Sequence, residues 1–537
     1  MKILDARIIS SLEKIYIGDK MPERTLSAIS MLKNEKKSFQ VAVASEGEGE
    51  IPFSVVSDLE KIEVSTVRHL KSELPMSEKD ADDYYRFSEN GYYPDLLLPA
   101  GDTVHLDDGI TSIWVEIDAS GSIPGEHNLE IRVSDIVLSI KVDIIDALLD
   151  FSNFVYTNWF HTDCLMSYYN VEAFSEEYWR ITENFLRTAN EYGMNCVLTP
   201  VFTPALDTEQ GKERPTVQLV DVTVNKGKYS FDFDKLTRWI EMAERCGIEF
   251  FELSHFYTQW GARYAPKVMA TVDGEYKRIF GWDTKASSKS YRVFLKAFSD
   301  EVKKYIEGKG MKNRVFIHVS DEPNFGCIIP YTRASKYIHS LFKDYRIIDA
   351  LSDYTFYKLK IVSNPIPANN HIGKFLGNVD DLWTYYCSGQ RNEYVSNRFF
   401  CNDSIRTRVL GYQLYKFNIT GFLQWGYNFY YTCLSKKAID PFEVTDAGGV
   451  FPSGDSFVVY PAPDGTAYHS LRLKVFYDAL QDRAALATLE KLCGKKVCLD
   501  IIEEKGKHNL TFSEYPHDDE WLLNTREQVN MRIKAEI

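Results

Sequence analysis

The apolar run Val315-Phe316-Ile317 leads through His318-Val319-Ser320 into Asp321-Glu322-Pro323. Two adjacent carboxyl groups at a buried strand end repel each other, so one tends to hold a proton at neutral pH. A protonated Glu322 can donate to a leaving oxygen, while an ionised Asp321 stabilises positive charge or orients a substrate group. The same tripeptide also reads as a plain strand-to-loop turn, with Asp as cap and Pro as stop. Its surroundings favour chemistry. Other apolar runs end in Trp159-Phe160-His161-Thr162-Asp163, Thr199-Pro200, Glu252-Leu253-Ser254-His255, Trp383-Thr384-Tyr385-Tyr386 and Gln424-Trp425-Gly426-Tyr427-Asn428. Carboxylates are several, histidines few and lysines nearly absent. No HExxH, GxSxG, DxDxDG or phosphate-loop pattern occurs. Such an inventory suits acid/base chemistry on a neutral, flat-faced ligand, a description that sugars fit.

Each of the other candidates has two readings. His161, with Asp163, contacts substrate hydroxyls or is a satisfied rim histidine, and His255 is similar; no metal site is assigned to either. Glu252 is a second catalytic carboxylate or a residue of the barrel layers. Trp260, Trp282 and Tyr291 lie in or beside a long loop, 255–287, as subsite aromatics or packing. Tyr427 and Asn428 follow the last strand, as cleft residues or as packing.

These residues need elements to hold them. Before about residue 148 the apolar pattern has period two: Phe39, Val41 and Val43; Ile113, Val115 and Ile117; Leu129, Ile131 and Val133; Leu138, Ile140, Val142 and Ile144. That pattern predicts half-buried antiparallel strands in a β-sandwich. The polar, tyrosine-rich stretch 77–97 reads as a surface loop or an arm toward a neighbouring cleft. From about residue 150 the rhythm becomes helix, glycine, short apolar strand. Ser175 caps a helix that Gly193 stops, and two more helices end at Gly247 and at Gly308 or Gly310. Repetition of this unit predicts parallel strands and a (β/α)8 TIM-type barrel. The expected domains are a sandwich over 1–148, a catalytic barrel over 149–490 and an extension over 491–537 packed on the barrel.

Composition narrows the function classes. Of 537 residues, 44 % are hydrophobic and 26 % charged, which is ordinary for a globular protein. Lys and Arg number 62 against 77 Asp and Glu, a net charge of −15. Such a surface repels nucleic acid unless a local basic patch overrides it, and none stands out along the chain. Aromatic content is high at 14 %, which suits sugar-binding faces as well as cores. No stretch has the roughly 18 apolar residues of a membrane helix, so no membrane insertion is expected. The first residues, MKILDARIISSLEKIYIG, lack an apolar leader. Nine scattered cysteines, with Cys493 and Cys498 too widely spaced for a CxxC motif, suggest buried thiols in a reducing compartment. The expected location is cytoplasmic, or a leader has been removed. No cofactor is expected.

The segments NWFHTD (158–163), FIHVSDEPN (316–324), DLWTYYCSG (381–389), GFLQWGYNFY (421–430) and SLRLKVFYDALQD (470–482) resemble glycoside hydrolase family 123, the β-N-acetylgalactosaminidases with an N-terminal sandwich and a (β/α)8 barrel. The resemblance implies a glycan or glycoconjugate substrate and substrate-assisted retaining catalysis, in which the sugar's 2-acetamido oxygen attacks the anomeric carbon and water opens the oxazoline. This is an exception to the two-carboxylate scheme. Carried over, it makes Glu322 the general acid and base and has Asp321 polarise the acetamido N–H. Tyr385 would bond the acetamido oxygen, and Trp425 or Trp383 would pack on its methyl or on the sugar face. Trp159, His161, His255, Tyr427 and Asn428 complete the expected substrate-binding set. The late helix departs from the family's R-x-E pattern, reading Arg472-Leu473-Lys474; that position is expected to be structural, and the departure hints at a divergent member in which sugar preference can differ. Three alternatives stand beside this reading: another β-N-acetylhexosaminidase, a two-carboxylate retaining glycosidase with Glu252 as nucleophile, and a silent carbohydrate-binding protein.

Overall fold

The computed structural model describes residues 1–76 and 81–537, so four residues of the 77–97 stretch lie outside the described part. The N-terminal region builds two sheets, the first of them completed by two strands from residues 459–470. One has seven strands in the order Lys2–Ser10, Lys36–Glu46, Gly109–Asp118, Ile62–Ser72, Gly91–Pro99, Ala467–Ser470 and Val459–Pro461. The other has five, in the order Ala28–Leu32, Ile136–Ile145, Gly125–Val133, Gly49–Val56 and Thr103–Leu106. Alternation drives the packing: Phe39, Val41, Ile113 and Val115 from the first sheet meet Leu129, Ile131, Ile140 and Val142 from the second in one core. The expected antiparallel pairing has one exception, since Ala28–Leu32 runs parallel to Ile136–Ile145.

The sequence pattern predicts one wet face for these strands, but Gly109–Asp118 is almost wholly buried. The reason is the long helix Leu471–Cys493 on the far side of the seven-stranded sheet. Trp114 packs on Leu471 and Val475. Glu116 accepts from Lys474 Nζ and from Tyr192 Oη, each at 2.8 Å. Arg472 forks onto Asp95 at 2.7 and 2.9 Å and donates to the carbonyls of Gly454 and Phe457. Arg472 and Lys474, the latter standing where the pattern has Glu, are thus ties between sheet and helix. Removing one partner strands a buried charge. Arg472→Ala should destabilise the protein by about 3–5 kcal/mol, read as a fall in denaturation midpoint; an unchanged midpoint would remove this tie from the stability argument.

The second region is a parallel barrel. Its strands are Val155–Asn158, Cys196–Thr199, Phe250–Leu253, Val315–Ile317, Arg346–Ala350, Asn364–Ile366, Trp383–Tyr385 and Gly421–Gln424. Each pairs in parallel with its neighbours, and strand eight closes on strand one. The sixth and seventh meet only at the bridge between Ala368 and Tyr385, so the ring is nearly closed. Period two again explains the layers: Cys196, Leu198, Phe316, Ile348 and Leu423 fill the interior. Val197, Phe251, Val315, Ile317 and Phe422 pack outward under the helices.

Helices Glu176–Glu191, Asp234–Arg245, Lys289–Gly308 and Ile328–Leu341 follow the first four strands, and Leu471–Cys493 the last. Ser175 caps the first of these by accepting from the Tyr178 N–H at 3.2 Å. Gly193 then turns at φ +90°, where a Cβ would lie 2.7 Å from Leu480. After strands five and six the helices shrink to Tyr354–Lys358 and the single turn Ile372–Lys374. Residues 255–287, expected as a long loop, contain the hairpin Val268–Val272 and Glu275–Phe280, which joins a second hairpin, Asp221–Asn225 and Lys228–Asp232. The 77–97 stretch is not all loop either, because its end belongs to strand Gly91–Pro99. Its middle docks on the barrel: Arg406 forks onto Asp82 at 2.9 and 2.8 Å. The C-terminal helices Lys495–Ile502 and Asp519–Glu536 pack on Leu471–Cys493, and Arg526 reaches Glu35 at 2.8 Å.

Candidate active site

Asp321 and Glu322 stand four and five residues beyond Ile317, at the C-terminal rim of the barrel, where strand ends and loops converge. Glu322 has φ +42°. A non-glycine residue pays on the order of 1–3 kcal/mol for such a backbone, and here the Glu322 N–H donates to the Ala350 carbonyl at 3.1 Å. The carboxyls face a pocket of about 240 Å3 with Trp159, Tyr385, Trp425, Trp260, Gln259 and Phe451 in its walls. Tyr385 Oη donates to Glu322 Oε1 at 2.6 Å. Among the described residues, the carboxyls lining this pocket are Asp207, Asp321 and Glu322, and no lysine or arginine lines it.

Burial pushes the Asp321 carboxyl well above its usual range, and the charges of Glu322, Asp349 and Asp207 add to the push. Asp321 therefore tends to hold its proton in the free site. The sequence pattern predicts an ionised Asp321; the structure pushes Asp321 upward instead, because it is buried and three carboxylates surround it. Beneath the pair, Asp349 Oδ1 accepts from the backbone N–H groups of Val319 and Ser320 at 2.9 and 3.3 Å, and Tyr331 Oη donates to Oδ2. Asp349 thus clamps the segment that presents Asp321.

His318 lies below, with Nε2 2.7 Å from Glu252 Oε2 and Nδ1 3.7 Å from Asp349 Oδ1. Burial alone would lower its pKa, but the two carboxylates outweigh burial and raise it from 6.5 to about 9. Burial would raise Glu252, but its bonds to His318 and Trp159 hold it below its usual value. Trp159 Nε1 donates to Glu252 at 3.1 Å and Cys196 Sγ lies 3.4 Å away. A histidine raised on folding contributes stability that is complete below 6.5 and lost as pH rises through about 9. Unfolding free energy should therefore fall through that window by up to about 1.4 kcal/mol per pH unit. His318→Gln should remove that component. Denaturant titrations at pH 6, 8 and 10 read it; identical slopes in both proteins would mean His318 is not charged in the fold.

The structure gathers six of the candidate residues around one pocket: Asp321, Glu322, Tyr385, Trp159, Trp425 and Trp260. It puts the others elsewhere. Trp383 shares an interior-facing strand side with Tyr385, but two residues of rise set it about 6.6 Å lower. Its ring lies 5.2 Å from Phe316 and 5.4 Å from the Arg346 guanidinium, at the mouth of a cleft of about 960 Å3 at the opposite end of the barrel. Gly421 makes room for it, since a Cβ there would sit 2.3 Å from the indole. Tyr427 stacks on Phe160 and donates to the Phe185 carbonyl at 3.1 Å, between strands and helices. Asn428 accepts from the His161 N–H at 2.8 Å and donates to the His161 carbonyl.

His161 lies behind the wall. Its Nε2 is 2.8 Å from the Trp425 carbonyl and its Nδ1 accepts from Arg214 at 3.1 Å. Burial and the Arg214 charge push its pKa down to about 3, so it is a neutral Nε2–H tautomer that holds Trp425. His255 is buried against His318 and Trp159, 4.4 and 5.1 Å between ring centres. Of the long-loop aromatics, Trp260 reaches the pocket, 48 % exposed. Trp282 pairs with Tyr264, and Tyr291 is core, donating to the Phe256 carbonyl.

Sequence reasoning missed Asp207, Asp349, Arg214 and Asp455. Asp349 had a signal, being a carboxylate at the end of the apolar run RIIDAL. Asp207 had none: it sits in an irregular loop, where its Oδ2 accepts from the Leu434 N–H at 2.7 Å, and burial lifts its pKa to about 6. Asp455 accepts from Trp425 Nε1 at 3.0 Å, orienting that indole. Among the described residues, no cluster of three or more His, Cys, Asp or Glu side chains is arranged to hold a metal ion, and all nine cysteines are free.

The family model described as glycoside hydrolase 123, catalytic domain, matches residues 159–489. A solved family 123 glycoside hydrolase from Clostridium perfringens, determined for the details of glycolipid glycan hydrolysis, is similar at a TM-score of 0.72 and 16 % identity. The match covers 99 % of this chain and 97 % of that one, and at such identity it speaks to the fold. A putative alpha-galactosidase from Bacteroides fragilis, 9 % identical over 82 % of this chain and 80 % of its own, reaches a TM-score of only 0.24. No curated protein matches the sequence.

Proposed function

The chain belongs to glycoside hydrolase family 123 and is a glycoside hydrolase, and from that premise we propose that it releases terminal β-linked N-acetylgalactosamine with retention, the substrate's own 2-acetamido oxygen acting as nucleophile. The observation that carries this reading is the Asp321-Glu322 pair at the rim of a small pocket, with Tyr385 bonded to Glu322. The pocket's 240 Å3 is below the roughly 300–1,000 Å3 of drug-sized sites, in keeping with one terminal sugar. Trp159, Trp425 and Trp260 supply apolar faces for it.

In this reading the proton held by Asp321 moves when substrate binds. An acetamido N–H donated to Asp321 favours its ionised form, and its proton passes to Glu322. Glu322 then protonates the leaving oxygen, Asp321 stabilises the positive charge that grows on the acetamido nitrogen, and Glu322 later activates the water that opens the oxazoline. Tyr385 is released from Glu322 to bond the acetamido oxygen. Glu252, the alternative nucleophile, is taken up by His318, Trp159 and Cys196 inside the barrel.

The test is a panel of aryl β-glycosides of N-acetylgalactosamine, N-acetylglucosamine, galactose and glucose. Turnover confined to the acetamido sugars, and best on the galacto isomer, is the expected result. Comparable rates on the 2-hydroxy sugars would overturn the substrate-assisted reading.

A further inference from the structure

Beside the catalytic pocket, a groove of about 550 Å3 collects five exposed cations: Arg263, Lys285, Arg292, Arg333 and Lys336. They come from the loop after strand three, from helix Lys289–Gly308 and from helix Ile328–Leu341. Among the described residues none of the five takes part in an ion pair, and no carboxylate lines the groove. In a chain of net charge −15 this is a local concentration of positive charge, not a reflection of composition. The sequence reading saw no basic patch; folding assembles one from segments that are separate along the chain.

The lining is also aromatic and hydroxylated. Tyr257, Tyr264 and Tyr337 are in the walls, with Ser287 and Ser340. The Arg292 guanidinium lies 4.3 Å from the centre of the Tyr337 ring, and Tyr337 Oη donates to the Arg292 carbonyl at 2.6 Å. Flat ring faces and hydroxyls suit a sugar, and free guanidinium forks suit oxyanions.

The groove adjoins the pocket through one short segment. Trp260 lines the pocket and its N–H donates to the Asp321 carbonyl at 2.8 Å, while Ala262, Arg263 and Tyr264 line the groove. The pocket itself, with three carboxyls and no cation among its described lining residues, repels an anionic sugar. A negatively charged part of a glycan is thus excluded from one site and attracted to the next.

We propose that this groove is a second saccharide site, which binds an oxyanion-bearing unit, a sulfate ester or a carboxylate, in the remainder of the glycan whose neutral terminal sugar occupies the pocket. That the ligand is a glycan rests on the glycosidase reading of the pocket; the anion binding is measured without turnover, so failure of either is told apart from failure of the other.

The experiment is calorimetric titration of the full-length Glu322→Gln protein at low ionic strength with a sulfated tetrasaccharide, sialyllactose, lactose, a short DNA duplex and phosphatidylserine vesicles. Acidic saccharides should bind at least about tenfold more tightly than lactose and weaken as salt is raised. A preference between sulfate and carboxylate identifies the oxyanion, and either supports the proposal. Adding Arg263→Ser, Arg333→Ser and Lys336→Ser together should cost about tenfold or more in affinity. Lys141→Ser, on the outer face of the N-terminal sheet, should cost nothing. All three positions are exposed, and an unchanged thermal midpoint verifies folding. Should the triple variant fail that check, Arg333→Glu alone is titrated in its place. Binding that survives these changes, no preference over lactose, or tighter binding of the duplex or the vesicles would overturn the proposal.

Discussion

Glu322→Gln should lower kcat/KM by about 10² to 10⁴-fold on substrates with poor leaving groups, the usual weight of general acid and base assistance. The change keeps the shape, and the amide oxygen still accepts from Tyr385, whose Oη lies 2.6 Å from the carboxylate in the native protein. What is lost is the proton. Nitrophenyl glycosides need little protonation on departure, so their first step should suffer far less. The measurement is a series of aryl glycosides graded by leaving-group pKa. A steep dependence in the variant, against a shallow one in the native enzyme, is the expected pattern. A loss of the same size across the series would mean that Glu322 is not the acid.

The second large effect concerns Asp321. Asp321→Asn should slow the first step and weaken inhibition by a thiazoline mimic of the intermediate. The loss should be roughly 10- to 100-fold, the weight of a hydrogen bond to a charged group. The reason is that the site is built for the cyclised species, and a neutral amide polarises the acetamido N–H less. The same substitution also removes the buried carboxyl that burial and its neighbours push upward. The acid limb of the pH–rate profile should therefore change shape as well as height, an effect that a merely packing role would not produce. Trapping with a 2-fluoro sugar decides between mechanisms. No adduct is expected; a covalent glycosyl ester on Asp207, the remaining described carboxylate of the pocket wall, or on Glu252 would replace the acetamido nucleophile with a protein one.

What the chain determines locally and what the fold decides divide along clear physical lines. Period-two alternation and helix–glycine–strand repetition are properties of neighbouring residues, so the paired sheets and the parallel barrel were legible from the sequence. So was the position of Asp321 and Glu322 just past a short apolar run, because the end of such a run is the end of a strand. Trp159, Tyr385 and Trp425 follow from the same rule. Rise per residue and the true end of a strand are not visible in composition. Trp383 therefore sits a layer below Tyr385, and Tyr427 and Asn428 leave the cleft and support its wall. The parallel partner of strand Ile136–Ile145 and the burial of Gly109–Asp118 on both faces depend on elements that arrive from elsewhere in the chain. The same holds for Asp207, fixed to a backbone amide 227 residues away, and for Arg214, which holds His161 across 53. The basic groove is the extreme case: five cations dispersed between positions 263 and 336 of an acidic chain become one charged surface only when two helices and a loop pack side by side. Hydrophobic periodicity survives projection onto one dimension, because burial recurs with the geometry of a single element. Electrostatic neighbourhoods do not, because Coulomb interaction follows distance in space, and that distance is set by tertiary packing.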